Sequence, residues 1–201
     1  MKNLTLIFFI SVSFLCFSFV TQAQTQPSNP PSNSQSNTYQ FPDTKTRFKR
    51  YLKDTVGIGA LGGAIIGSTF QQINNQPPEW QKTKKGFARR FGSNFGQNAI
   101  EQTTLYGLSE AFRQDSEYQK CNCKGVLRRV GHALKFGFVA RNRQGNDVFS
   151  PAKVISPFVA NVAAVKLWYP ERYSYKDGMR SGAYSLGFSV GFNLIKEFIF
   201  K

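Results

Sequence analysis

A single histidine, His132, stands in this chain of 201 residues, and only 11 Asp and Glu face 26 Lys and Arg. One imidazole cannot build a His-rich metal site, and a nucleophile–His–carboxylate relay has only His132 to draw on. His132 lies among Arg128, Arg129 and Lys135, cations that disfavour its protonated form, so it reads as part of a solvated basic face. Cysteine is scarce too: Cys16, Cys121 and Cys123. The C-x-C spacing is neither a redox C-x-x-C nor a zinc knuckle, and the pair reads as two incidental loop cysteines. No Gly-x-x-x-x-Gly-Lys-Ser/Thr loop is present, since the glycine run 57–67 lacks the Lys and hydroxyl that hold phosphate and Mg²⁺. No cofactor and no metal is expected.

Glycosidase-type chemistry needs two carboxylates only, so scarcity does not exclude it. The candidate acids are Glu79, Glu101, Glu110, Asp115, Asp177 and Glu197, and no spacing selects a pair among them. For Glu101, Glu110 and Glu197 the expected role is pairing with Arg inside helices; Asp115 falls in a turn.

What the chain does have begins with an export signal. Lys2 is followed by an apolar run from Leu4 to Val20 and then Thr21-Gln22-Ala23, the pattern of a Sec-type signal peptide over residues 1–23. No Leu-small-small lipobox precedes Cys16. Only Lys2 among the charges lies in this leader, so the rest keeps a net charge of +14. Residues 24–41 are uncharged and rich in Gln, Ser, Asn and Pro, which predicts a disordered linker. Residues 42–201 then form one domain. The predicted location is the periplasm, the outer-membrane surface or the exterior.

Punctuation divides that domain into segments at about 43–75, 83–113, 124–142, 151–168 and 174–200, each long for a strand and ordinary for a helix. Phe87, Phe91 and Phe95 recur every four residues. Leu127, Val130, Leu134 and Phe138 set an apolar face against a basic one of Lys124, Arg128, His132 and Lys135. The expected fold is all-α, a small-residue-rich bundle of about five helices. Gly59, Gly63 and Gly67, Gly92 and Gly96, and Gly187 and Gly191 each stand four apart. Each helical glycine costs up to about 1 kcal/mol relative to alanine, which close helix–helix approach would offset. The 184–194 stretch alternates large and small residues like a barrel strand, so a partly β, outer-membrane barrel is the alternative fold.

Residues 55–70 and 181–195 carry no charge but fall short of the roughly 20 apolar residues of a spanning helix. They read as buried helices of a bundle.

The motifs Trp80, Arg90-Phe91-Gly92-Ser93, Gly96, Ala99-Ile100 and Arg113-Gln114-Asp115-Ser116-Glu117-Tyr118 resemble a group of exported bacterial proteins with a tryptophan segment, an R-F-G helix and an acidic D-P-R-Y-F turn. Residues 140–145, Asn161, Trp168, Asn193 and Glu197-Phe198 extend the resemblance over about 77–198. It implies a helical domain and carries no activity, cofactor or residue role. Ser116-Glu117 stands where the group has Pro-Arg.

Two stretches hold basic residues and no acid: 82–90, with Lys84, Lys85, Arg89 and Arg90, and 119–146, with Lys124, Arg128, Arg129 and Lys135. In an exported protein these predict contact with anionic lipid, lipopolysaccharide or cell-wall polymer, each basic group gaining about 1 kcal/mol near such a surface. Intracellular nucleic acid is not an expected partner. The leading functional reading is a non-catalytic, envelope-associated binding or structural protein, with a homo-oligomer as a further assembly. The alternatives are an integral outer-membrane protein and a carboxylate-dependent hydrolase on envelope polymers.

Overall fold

The computed structural model describes residues 39–199. The expected signal peptide and almost all of the expected linker lie outside the described residues. Among the described residues there are six α-helices: α1 (Thr44–Val56), α2 (Ile58–Ile73), α3 (Lys84–Ala111), α4 (Val126–Lys135), α5 (Pro151–Leu167) and α6 (Tyr175–Phe198). Gly57 adopts an extended conformation and interrupts what is otherwise one 30-residue rod, so the all-α bundle has about five long helical units. The rod lies antiparallel to α3. Arg47 pairs with Glu110 near one end, the Asn98 amide donates to the Asp54 and Thr55 carbonyls midway, and the Asn94 amide donates to Ser68 at 2.9 Å further along. α3 packs on α5 and α5 on α6, each antiparallel to the last, while α4 runs antiparallel beside the last turns of α6.

Local signals set the helix ends. The Thr83 hydroxyl accepts from the Gly86 amide at 3.0 Å and starts α3. Ser150, followed by Pro151, starts α5. Ser174 and Asp177 form a capping box for α6.

Two expectations need correcting, and the strand alternative for 184–194 falls away. The 124–142 segment is helical only to Lys135. Gly137 then lets α6 approach, and the chain continues as strand β2 (Val139–Asn142). β2 lies between β1 (Gln114–Asp115) and β3 (Asp147–Phe149), with Val139 opposite Phe149 and Gln114 opposite Asn142. The β2–β3 turn is closed by the Asn142 side chain, which accepts from the Gln144 and Asn146 amides. The alternating 184–194 stretch is helix, not strand: at helical spacing Tyr184, Phe188 and Phe192 share one face and Gly178, Gly182 and Asn193 another. The linker also ends earlier than composition suggested. Tyr39 donates to Asp115 at 2.9 Å, and Arg47 stands over the Phe41 ring, so these aromatics belong to the folded part.

The interior is small and polar. Among the described residues nine apolar residues are buried, six of them alanine, against twelve polar or charged ones. Twenty-five large apolar side chains are exposed.

Candidate lipid-facing surface and central cavity

The inversion is clearest on α2. Its inner half holds Ala64, Ser68 and Gln71. Ser68 is fully buried and back-bonds to the Ala64 carbonyl. Its outer half is Leu61, Ile65, Ile58, Ile66, Ile73 and Phe70, with Ile58 88% exposed. Only 11% of the most apolar window of the α1–α2 rod is buried. α6 repeats the pattern, with Tyr184, Phe188 and Phe192 outside and Gly178, Gly182 and Asn193 inside. The expectation that 55–70 and 181–195 are buried helices therefore fails. Small residues let the helices approach, and the large apolar ones are left on the outer faces.

The glycines divide accordingly. A Cβ on Gly67 would meet the Asn94 side chain at 3.3 Å, and one on Gly96 would meet Trp168 at 3.5 Å, so these two do sit at contacts. Around Gly59, Gly63, Gly92, Gly187 and Gly191 there is open space, which corrects their assignment to packing within the chain. The close approaches lie elsewhere: Gly182 against Phe158, Gly178 against Val162, Gly137 against Val190 and Gly86 against the Trp80 carbonyl. None of these belongs to the longest four-spaced runs that drew attention in the sequence.

The basic residues divide too. Lys84, Lys85 and Arg89 are exposed at the start of α3, beside the α2 end that carries Phe70 and Ile73. Lys124 and Arg128 are exposed and flank Val126 and Leu127, the latter 86% exposed. Arg90, in contrast, is fully buried and cannot meet an external anion. Its Nε donates to Gln76 O at 2.8 Å. Nη1 donates to Gln72 Oε1 at 2.6 Å and Gln81 O at 2.7 Å, and Nη2 to Pro77 O at 2.8 Å and Asn75 Oδ1 at 3.4 Å. That occupies five donors, the full complement of a guanidinium. Arg129 is also committed inward, to Glu197 at 2.8 Å and over the Phe198 ring. Lys135 pairs with Asp147 at 2.7 Å.

α4 consequently does not follow its sequence pattern, since members of both its apolar and its basic face stay exposed. Ala133 and Phe136 are buried, while Leu127, Leu134 and Phe138 are exposed. His132 leaves the supposed solvated face and packs against Phe136 at 4.4 Å and Tyr118 at 6.0 Å between ring centres. Burial pulls its pKa down, so the neutral ring is favoured. The cause is Glu197, fully buried on α6, which draws Arg129, the Tyr118 hydroxyl (2.7 Å) and the Cys121 amide (3.1 Å) onto the inner side. Burial raises the Glu197 pKa, but these three donors outweigh it and hold the carboxyl at about 2. Cys121 and Cys123 are bridged to each other, with Cα atoms 5.1 Å apart, rather than being two free loop thiols.

A cavity of about 750 Å³ opens between α1, α3, α5, α6 and the 114–118 segment. Five of the chain's 11 acids line it: Asp54, Glu101, Glu110, Asp115 and Glu117. Glu110 is neutralised by Arg47, and Asp115 by Arg50 and Tyr39. Glu101 is half-buried at mid-helix with no hydrogen bond or ion pair among the described residues, and burial raises its pKa to about 6. Opposite, Lys153 donates to the Phe136 and Val139 carbonyls, and burial lowers its pKa to about 8. Of the other acids singled out in the sequence, Glu79 pairs with Arg172 at 2.8 Å and Asp177 caps α6. Among the described residues no group of three or more His, Cys, Asp or Glu could hold a metal ion. No protein-family model, curated protein or solved structure matches the chain.

Proposed function

We propose that this protein is an envelope-associated binding protein that seats on an anionic lipid surface. The outer faces of α2 and α6 enter the head-group–acyl boundary, and Lys84, Lys85, Arg89, Lys124 and Arg128 meet the phosphates. The observation that carries the reading is the outer half of α2, uncharged, dominated by large apolar side chains with Thr69 the polar one among them, and adjoined by exposed cations. Exposed apolar surface of this extent, next to basic side chains, is the make-up of interfacial helices. Charge complementarity favours an anionic lipid over a neutral partner.

The α1–α2 rod is by itself long and apolar enough to cross a membrane, but its neighbours α5 and α3 favour seating in the interface over spanning. Between Lys153 and Lys166 α5 has 12 uncharged residues, about 18 Å of helix, against a hydrocarbon core of about 30 Å. Glu101 sits midway along α3.

Flotation with phosphatidylglycerol-containing vesicles tests this. Binding should fall as salt rises, because the cations are screened, and leave a residue at high salt from apolar insertion. Absence of binding at low salt would overturn the reading. Equal binding to uncharged vesicles would remove the role of the cations, and preference for lipopolysaccharide or cell-wall polymer would move it to another polyanion.

A second reading, a carboxylate-dependent hydrolase on envelope polymers, draws on Glu101, Glu110 and Asp115 lining one cavity. With Glu110 and Asp115 engaged by arginines, Glu101 has the proton affinity of a general acid near pH 6, and burial raises the neighbouring Asp54 as well. Turnover of a cell-wall glycan that disappears in Glu101→Gln would support it, and unchanged turnover in that variant would dismiss it.

A further inference from the structure

The chain has two tryptophans, and both line one slot. The slot has a volume of about 570 Å³, within the usual range for small-ligand sites, and lies at the α3 N-terminal end, away from the acid-lined cavity. Its walls are Trp80 and Trp168, its floor is Gly92, Ser93 and Gly96 of α3, and Arg89 stands at the rim.

Each wall is fixed from behind. Trp80 ends the 3₁₀ turn Pro78–Trp80 and packs on Tyr169, with ring centres 5.2 Å apart. The Trp168 Nε1 donates to Ser93 Oγ at 2.8 Å, and its six-membered ring lies over Gly96. The Arg90 network holds the loop that carries Trp80. The floor is bare at Gly92, where a Cβ would meet nothing within 4 Å. Arg89 is exposed and makes no ion pair or hydrogen bond among the described residues, and Lys85 stands one turn before it. The nearby Glu79 is already engaged with Arg172.

A pre-set aromatic slot with a free guanidinium at its mouth selects a ligand with a flat apolar face and an acid group. We propose that it binds an anionic sugar ring. The polarised C–H groups of a pyranose lie against the electron-rich indole faces, and a carboxylate or phosphate on the ring takes a charge-assisted bond from Arg89. Ser93 is occupied by Trp168 and Gln97, and no side-chain amide lines the slot to read a base edge, so a sugar fits better than a nucleobase. The same chemistry is presented by cell-wall glycans and by glycolipid head groups. The slot shares Arg89 with the lipid seat proposed above, but titration with a soluble sugar involves no lipid, so failure of the one is distinguishable from failure of the other.

Because both indoles line the slot, intrinsic fluorescence reports on it directly. Titration of the full chain with glucuronate or glucose 1-phosphate should give a saturable change, with uncharged glucose weaker by about tenfold. Arg89→Gln should erase that preference while leaving the glucose response. Gly92→Leu, which points into open space and should keep the helical circular dichroism, should abolish the response. An acidic oligosaccharide and vesicles carrying an acidic glycolipid then separate the two sources, and saturation by either supports the site. No saturable change with any sugar would overturn the proposal. So would a response that survives Gly92→Leu in the folded protein, or a response to adenosine monophosphate alone.

Discussion

The two largest buried charged side chains lie at opposite ends of the helical layer and are satisfied in opposite ways. Arg90, where α2 turns into α3, has no counter-ion among the described residues and spends its donors on neutral carbonyl and amide oxygens between residues 72 and 81. Glu197, where α6 meets α4, is answered by a charge, a phenol and a backbone amide. The first arrangement shapes a loop and places Trp80. The second clasps a short helix, a bridged cysteine loop and the layer together. Neutral acceptors cannot titrate, so the Arg90 end should be indifferent to acid, and the Glu197 end should not.

Arg90→Met should break this comparison most severely. It leaves the Gln76, Pro77 and Gln81 carbonyls without their donor, and at about 1–3 kcal/mol per unsatisfied group the loss should reach about 4 kcal/mol in urea unfolding. The quenching of Trp80 should change with it. Glu197→Gln comes next. Removing one partner of a buried pair should cost about 3 kcal/mol, read by the same unfolding.

Acid sharpens the contrast. The Glu197 carboxyl is held below its ordinary 4.5, at about 2, so its contribution is present in full above about pH 4.5 and is lost as pH falls towards 2. Tyr118 and His132 should report loosening in that window while Trp80 fluorescence stays constant. Loss of the Trp80 signal first would reverse the assignment.

The two sides of α2 allow a smaller-scale test. Ser68→Leu overfills the buried side and should cost about 2 kcal/mol. Ile66→Ser on the outer side should change stability by less than about 0.5 kcal/mol yet weaken vesicle binding. The least effect is expected from Lys135→Ala, which removes an exposed ion pair with Asp147 worth under about 1 kcal/mol.

Much of the layer was legible in the sequence. Helices α3, α5 and α6 fall within one or two residues of the segments 83–113, 151–168 and 174–200, because turn and breaker residues act over a single turn. The fate of the amphipathic faces was not legible. Periodicity identifies two faces of α4 but carries no information on which one a neighbour covers. Arg129 and His132 turned inward because Glu197, 68 residues from Arg129, waits on α6. The same holds for Arg90, whose basic stretch reads as uniform surface until the 72–81 loop folds over one member of it.

By itself, the sequence determined the helical content, the places where helices begin and end, the excess of positive charge and the scarcity of groups for metal or histidine chemistry. These follow from residue counts and from interactions within one turn of chain. Only the tertiary structure decided that the small and polar residues go inside and the large apolar ones out, that Glu101 stands alone in a shared cavity, and that two tryptophans 88 residues apart face one slot. Those outcomes depend on which helices become neighbours, and long-range packing between small residues, not local pattern, selects the neighbours.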